Sequence, residues 1–120
     1  MALRSPEMLN AYLAEQAKKP GFRNHKNYLE DEERILRHFE HWMIIDNLYP
    51  YDIIAKEHHL LVPKRVFSRM SECTRDEWNE YKHIINLFEE EGHYSAIMEN
   101  FTKGRSILGH LHLHLIVFKD

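Results

Sequence analysis

The sequence predicts an α+β domain in which a mainly antiparallel sheet of about five strands is covered by one main helix, and three observations predict it. The closing segment Gly109-His110-Leu111-His112-Leu113-His114-Leu115-Ile116-Val117-Phe118 alternates imidazole with leucine and then turns β-branched, the pattern of a strand. Residues 74–91 open with a capping box and carry apolar residues at helical spacing. Between and around them, strand-length apolar runs are separated by proline, glycine and asparagine.

Taken from the start, Ser5-Pro6-Glu7 supplies an N-cap, a proline at the first helical position and an acid in the first turn. A helix over 6–18 follows, with Leu9, Tyr12, Leu13 and Ala17 on one stripe, and Pro20-Gly21 ends it. Residues 21–28 have neither period and read as a polar connector. We therefore divide the chain into an N-terminal helical extension, 1–28, and a domain, 29–120. A second helix is expected over 29–40, because Glu30, Asp31, Glu32 and Glu33 begin it, Arg37 and His38 end it, and Ile35, Leu36 and Phe39 give it a buried side.

Strands are expected near 42–46, 53–57, 59–62, 94–100 and 109–117. Asn47-Leu48-Tyr49-Pro50-Tyr51 is a turn, since Pro50 cannot donate to a sheet ladder and restricts Tyr49. Pro63-Lys64-Arg65 closes the strand at 59–62. Thr74 and Glu77 form the capping box of the main helix, Trp78, Tyr81, Ile84, Ile85 and Phe88 its buried stripe, and Gly92 its terminator. A loop, Thr102-Lys103-Gly104-Arg105-Ser106, leads towards the closing strand.

Bulk properties narrow the function classes. A chain of 120 residues is one domain by length, and 43% hydrophobic with 29% charged residues is ordinary for a soluble globular protein. Sixteen basic against nineteen acidic residues, a net charge of −3, give no broad positive field for a polyphosphate backbone, so nucleic acid is not an expected partner. The single Cys73 fits a reducing compartment. The first ten residues hold no continuous apolar stretch, so neither a signal peptide nor a membrane association is expected, and the expected location is the cytoplasm.

The chemistry sits on the closing strand. His110, His112 and His114 share one face about 6–7 Å apart, and Leu111, Leu113 and Leu115 share the other. Three readings fit that face: solvated histidines on the wet side of a half-buried strand, a metal site, or nucleophilic and acid–base catalysis on an anionic centre. A metal is disfavoured because neighbouring side chains diverge along a flat strand and no Cys, Asp or Glu lies within the run to complete a shell. Spacing alone does not separate the other two.

The run His110-Leu111-His112-Leu113-His114-Leu115-Ile116, of the form His-φ-His-φ-His-φ-φ with φ apolar, resembles the signature of the histidine triad (HIT) superfamily of nucleotide-binding proteins. A second match lies upstream. Asn47-Leu48-Tyr49-Pro50-Tyr51 followed by His58-His59-Leu60-Leu61-Val62-Pro63-Lys64-Arg65 is similar to that family's Asn-x-x-Pro-Tyr segment and His-x-Leu-Val-x-Pro-Lys strand. Together they cover residues 30 to 120 and imply a HIT-like fold.

The resemblance also implies an activity: hydrolysis of phosphoramidate or phosphoanhydride bonds in a purine nucleotide, through a covalent nucleotidyl-histidine, with no cofactor and no metal. It makes His112 the nucleophile, His114 the donor to the α-phosphate, and His110 a buttress bridging to His58. It carries ribose binding to Asn47, with Asp46 as the alternative, and contacts to phosphate and leaving group to Asn100, Ser106 and Arg105. Two copies pairing about a two-fold axis are implied as well. Nucleotidyl transfer to another acceptor, and nucleotide binding without turnover, remain open alternatives. The chain departs from the pattern in a longer segment over 52–57, in Val66 where a histidine is common, and in Arg105 where a glutamine is common.

Overall fold

The structure is a computed structural model that describes residues 3–18, 32–101 and 109–120. Five strands form one sheet in the order β1-β2-β3-β5-β4, every neighbouring pair antiparallel. They are β1 (Ile35–His38), β2 (Trp42–Asp46), β3 (Ala55–Pro63), β4 (Ala96–Met98) and β5 (Leu113–Phe118). Helix α1 spans Pro6–Lys18 and helix α2 spans Arg75–Glu91. The α+β class and the antiparallel sheet are as the sequence predicts.

Helix α2 covers one face of the sheet. Trp42, Ile44, Leu61, Leu113 and Leu115 project from the strands to meet Ile84 and Phe88 of the helix, with Phe67 and Leu111 beside them. The alternate residues Met43, Ile45, Leu60 and Val62 form a second buried cluster, joined by Ile35 of β1. Period-two alternation thus sends one set of side chains towards α2 and the other to the opposite face, and the triad histidines belong to the latter. Both faces bury, so the closing segment is not the half-wet strand its alternation predicts. The imidazole face continues a row of apolar side chains.

The caps hold as the sequence predicts. Ser5 Oγ accepts from the Met8 N–H at 3.2 Å, and Thr74 Oγ1 accepts from the Glu77 N–H at 3.1 Å. Glu77 reciprocates by accepting from the Thr74 N–H at 2.7 Å, and Gly92 ends α2 at φ 67°, a left-handed conformation that favours glycine.

Four element expectations need correction, the last being the closing strand, expected over 109–117, which spans only Leu113–Phe118, so that His110 and His112 precede it. The helix expected over 29–40 is, in its described part, a 3-10 turn over Glu32–Arg34 followed by strand β1. Pairing of Ile35 with Ile45 and of His38 with Met43 satisfies the outer backbone edge of the buried strand β2, and that tertiary gain outweighs the helical placement of charges. A tight hairpin then joins β1 to β2: the Phe39 N–H donates to the Trp42 carbonyl at 2.8 Å, and Glu80 of α2 accepts from the His41 N–H at 2.6 Å. Second, the segments expected at 53–57 and 59–62 are one strand, β3, with a register irregularity between Ala55 and Glu57. Third, the strand expected over 94–100 is paired only over Ala96–Met98.

Lys64 and Arg65 have structural partners. Lys64 Nζ donates to the Phe39 carbonyl at 2.6 Å, and Arg65 donates to both carboxylate oxygens of Glu77, at 2.8 and 2.9 Å. The Arg65 guanidinium and the Thr74 N–H hold the buried Glu77 carboxyl down at about 2, below its usual 4.5. A carboxylate depressed in the fold contributes stability that is complete above the unfolded value and disappears as pH falls through the folded one. Glu77→Ala is therefore expected to cost about 2 kcal/mol near neutral pH, the scale of a charged hydrogen-bond set. Thermal melts of variant and parent should converge as pH is lowered from about 4.5 to about 2. A gap that stays constant over that range would contradict the role assigned to the ion pair.

Candidate active site

The last triad ring, His114, is fixed by the pairing of β3 with β5. Leu60 lies opposite His114 and His58 opposite Ile116, so His58 and His114 are diagonal neighbours on the face away from α2. His110, His112 and His114 are only 1%, 4% and 3% exposed. A buried imidazole needs a hydrogen-bonding partner, and the structure supplies one for each.

The hydrogen bonds determine where the protons sit. The Tyr51 N–H donates to His58 Nδ1 at 2.9 Å, so the neutral His58 ring carries its proton on Nε2. His58 Nε2 lies 2.8 Å from His114 Nδ1 and donates to it. His114 Nδ1 is thereby an acceptor, and the proton of neutral His114 is on Nε2. The Asn100 side-chain nitrogen, 3.3 Å from that atom, donates to the Tyr51 hydroxyl at 3.0 Å.

Burial first, and then the nearby Arg4 cation, push His58 down to about 4; burial, then His112, His58 and Arg4, push His114 down to about 2. Both rings are neutral at physiological pH for the same reason: imidazolium is poorly solvated there and faces other positive or protonatable groups.

His112 is held differently. Its Nδ1 is 3.2 Å from the His110 carbonyl oxygen, to which Nδ1–H donates, leaving the Nε2 lone pair free of a proton. His110 Nε2 lies 3.1 Å from the Pro63 carbonyl at the end of β3. The expected bridge from His110 to His58 is therefore corrected. His58 already uses both ring nitrogens, on Tyr51 and His114, and His110 ties the start of the closing segment to β3 through Pro63.

Other residues singled out in the sequence divide three ways. Asn47 joins the cluster: its Oδ1 accepts from the Tyr49 N–H at 3.0 Å and its amide nitrogen lies 3.3 Å from both nitrogens of His58. Asn100 joins it through His114 and Tyr51. Asp46 ends β2 opposite His59, and its carbonyl accepts from Arg34 at 2.9 Å. Ser106 and Arg105 lie outside the described residues. His59 points to the other face, where Tyr94 Oη is 2.7 Å from its Nδ1 and Glu57 is 3.2 Å from its Nε2.

Two residues of the site carried no functional role in the sequence reading. Tyr51 lies against both imidazoles, its ring stacked on His114 at 4.9 Å between centroids and tilted over His58 at 4.6 Å. Arg4 stands over the Tyr51 ring at 4.9 Å. Tyr51 had a weak signal in its position right after the turn proline. Arg4 had none, because its relevance depends on a contact with residues 45 positions away.

Among the described residues, no group of three or more His, Cys, Asp or Glu side chains is arranged to hold a metal ion, and no helix is long and apolar enough to cross a membrane.

No protein-family model matches the chain, and none of the curated proteins matches its sequence. Solved structures do. The chain is similar to a HIT family hydrolase from Legionella pneumophila Philadelphia 1, at 19% identity and a TM-score of 0.58 over 80% of this chain and 90% of that one. It is similar to a Hit-like protein at 21% identity and a TM-score of 0.60, covering 81% and 99% of the two chains. It is also similar to a histidine triad protein from Clostridium difficile, at 19% identity and a TM-score of 0.57 over 80% and 88%. The architecture is therefore that of an α+β class built on an antiparallel sheet, with a buried histidine cluster at its closing strand. More particularly, the chain has the histidine triad fold.

The proton positions yield a direct expectation. Neither His58 nor His114 should titrate between pH 5 and 8, which nitrogen chemical shifts of ¹⁵N-histidine-labelled protein would show. Because the unfolded chain takes up protons below about 6.5 while these rings do not, stability should fall as pH drops from 6.5 towards 4. A midpoint for either ring near 6.5 would contradict the assigned hydrogen bonds.

Proposed function

We propose that the protein is a nucleotide hydrolase of the histidine triad type, cleaving a phosphoramidate or phosphoanhydride bond at the α-phosphate of a purine nucleotide. The observation that carries this reading is the His112 Nδ1–His110 carbonyl hydrogen bond at 3.2 Å, which leaves the central ring with an unprotonated Nε2. A neutral nitrogen attacks an anionic phosphorus without the repulsion that hinders hydroxide or carboxylate. The similar structures include a HIT family hydrolase, which agrees with this reading at the level of class.

In the first step the Nε2 lone pair of His112 forms a bond to the α-phosphorus, and the bond from phosphorus to the leaving group breaks. The leaving amine or phosphate departs with the bonding electrons and takes up a proton, aided by Ser106 and Arg105. In the second step a water oxygen bonds to phosphorus, the phosphorus–Nε2 bond breaks and the water proton is lost to solvent. The nucleoside monophosphate is released and the His112 lone pair is restored.

His114, with its proton on Nε2, donates to a phosphate oxygen as negative charge grows there. His58 fixes its tautomer, Asn100 contacts the phosphates, and Asn47, or Asp46 in the alternative, meets the ribose hydroxyls. Nucleotidyl transfer would share the first step and differ only in the acceptor of the second. In this reading the chain works as a homodimer in the cytoplasm, and sedimentation showing only a 14.5 kDa species would contradict the dimer.

The assay is release of adenosine monophosphate from an adenosine phosphoramidate. His112→Asn is expected to keep the melting temperature within a few degrees and to lower kcat by about 10³-fold or more, the scale of losing a covalent nucleophile. A folded His112→Asn protein with parental turnover would remove His112 from the role.

A further inference from the structure

Residues 3–5 are bound to the turn between β2 and β3 at three successive points. The Ile53 N–H donates to the Leu3 carbonyl at 3.1 Å, Arg4 Nε donates to the Tyr49 carbonyl at 2.9 Å, and the Ser5 N–H donates to Asp52 Oδ1 at 2.7 Å. Tyr12 of α1 meets Tyr49 edge-to-face at 5.4 Å, so the helix begins and stays on the same turn. The extra residues over 52–57, a departure from the histidine triad pattern, are thus the dock for the N-terminal extension. Two peculiarities of the chain form one structural unit.

That unit ends in the site. The Arg4 guanidinium carbon lies 4.6 Å from the Tyr12 ring centroid and 4.9 Å from that of Tyr51, so it is held by two aromatic rings as well as by a backbone carbonyl. Tyr51 in turn touches each part of the donor assembly: its N–H binds His58, its ring stacks on His114 and its hydroxyl accepts from Asn100. A displacement of Tyr51 would release the tautomer of His58, the packing of His114 and the Asn100 amide at once.

We propose that Arg4 is a positioning residue of the active site: docked on the turn at 49–54, its guanidinium holds Tyr51 against His114 and so keeps the His58–His114 pair aligned to present an Nε2 proton to the substrate. The proposal rests on the hydrolase reading for its catalytic consequence, but the alignment itself exists in the free protein. The charged and titratable groups that act on the pair are Arg4 from the extension, His59 of β3 from the other face of the sheet and His112 just before β5, with Tyr51 and Asn100 as the polar neighbours. Arg4 is the fixed cation among them. Removing it takes away both the brace and a charge that disfavours imidazolium.

The test uses Arg4→Ala, Arg4→Lys and Asp52→Ala in the full chain, with ¹⁵N-histidine titration of free protein and pH profiles of kcat/KM for the adenosine phosphoramidate. Arg4→Ala is expected to raise the His58 midpoint from about 4 towards 6.5, to move the acid limb of the profile the same way, and to lower kcat by about tenfold. Arg4→Lys should recover part of the midpoint, since it keeps the charge. Asp52→Ala, which loosens the dock and leaves Arg4 in the sequence, should shift both readouts in the same direction by less.

Unchanged midpoints and profiles in Arg4→Ala and Asp52→Ala would overturn the proposal. A rise in KM alone, with kcat and pH dependence unaltered, would also overturn it, in favour of direct contact between Arg4 and substrate. If the parent protein released no nucleotide at all, the hydrolase reading would fail, and the histidine titration would still decide the role of Arg4.

Discussion

The hydrogen bond between His58 Nε2 and His114 Nδ1, 2.8 Å long and buried between β3 and β5, is the constraint on which the site depends. It links adjacent strands on the face away from the main helix and transmits a proton assignment from a backbone donor, the Tyr51 N–H, to the outer nitrogen of His114. Each ring is committed by its neighbour. A buried imidazole left without such a partner would cost the desolvation of an unmet polar group, so the arrangement is stabilising and specifying together. The sheet carries it because β3 and β5 are neighbouring interior strands in the order β1-β2-β3-β5-β4.

The three triad rings then differ in task although they repeat in sequence. His110 faces the Pro63 carbonyl, His112 faces the His110 carbonyl and His114 faces His58. An unprotonated Nε2 on the middle ring and a protonated Nε2 on the last form a nucleophile beside a donor, a combination suited to displacement at phosphorus. Burial keeps His114 neutral and limits the access of competing water to the attacking nitrogen. In the proposed reaction, a nucleotide that reached His112 would meet two preset nitrogens in place of a solvated, mixed-protonation surface.

The sequence revealed the parts governed by local rules. Alternation marked the closing strand, though it begins at Leu113 and not at Gly109, the Thr74–Glu77 box and Gly92 bounded the main helix, and Ser5-Pro6 marked the start of α1. It misdirected where tertiary pairing overrode local preference. Residues 35–38 have helix-like charge placement but pair with β2, and the apolar residues at 53–54 fold into a turn where a strand was expected. The burial of the imidazole face was also hidden, because polar residues on alternate positions ordinarily mark solvent. Asn47, Asn100 and His58, singled out by motif position, do gather around the histidine pair, whereas Tyr51 and Arg4 enter only when the chain closes on itself.

The central claim is that His112 Nε2 bonds to phosphorus. The direct measurement is rapid acid-free quench of the protein mixed with an adenosine phosphoramidate, followed by intact and peptide mass spectrometry. The account predicts a transient adenylyl adduct confined to His112, formed and lost at rates compatible with turnover. Turnover without any such adduct, or an adduct on His110 or His114 in its place, would contradict it.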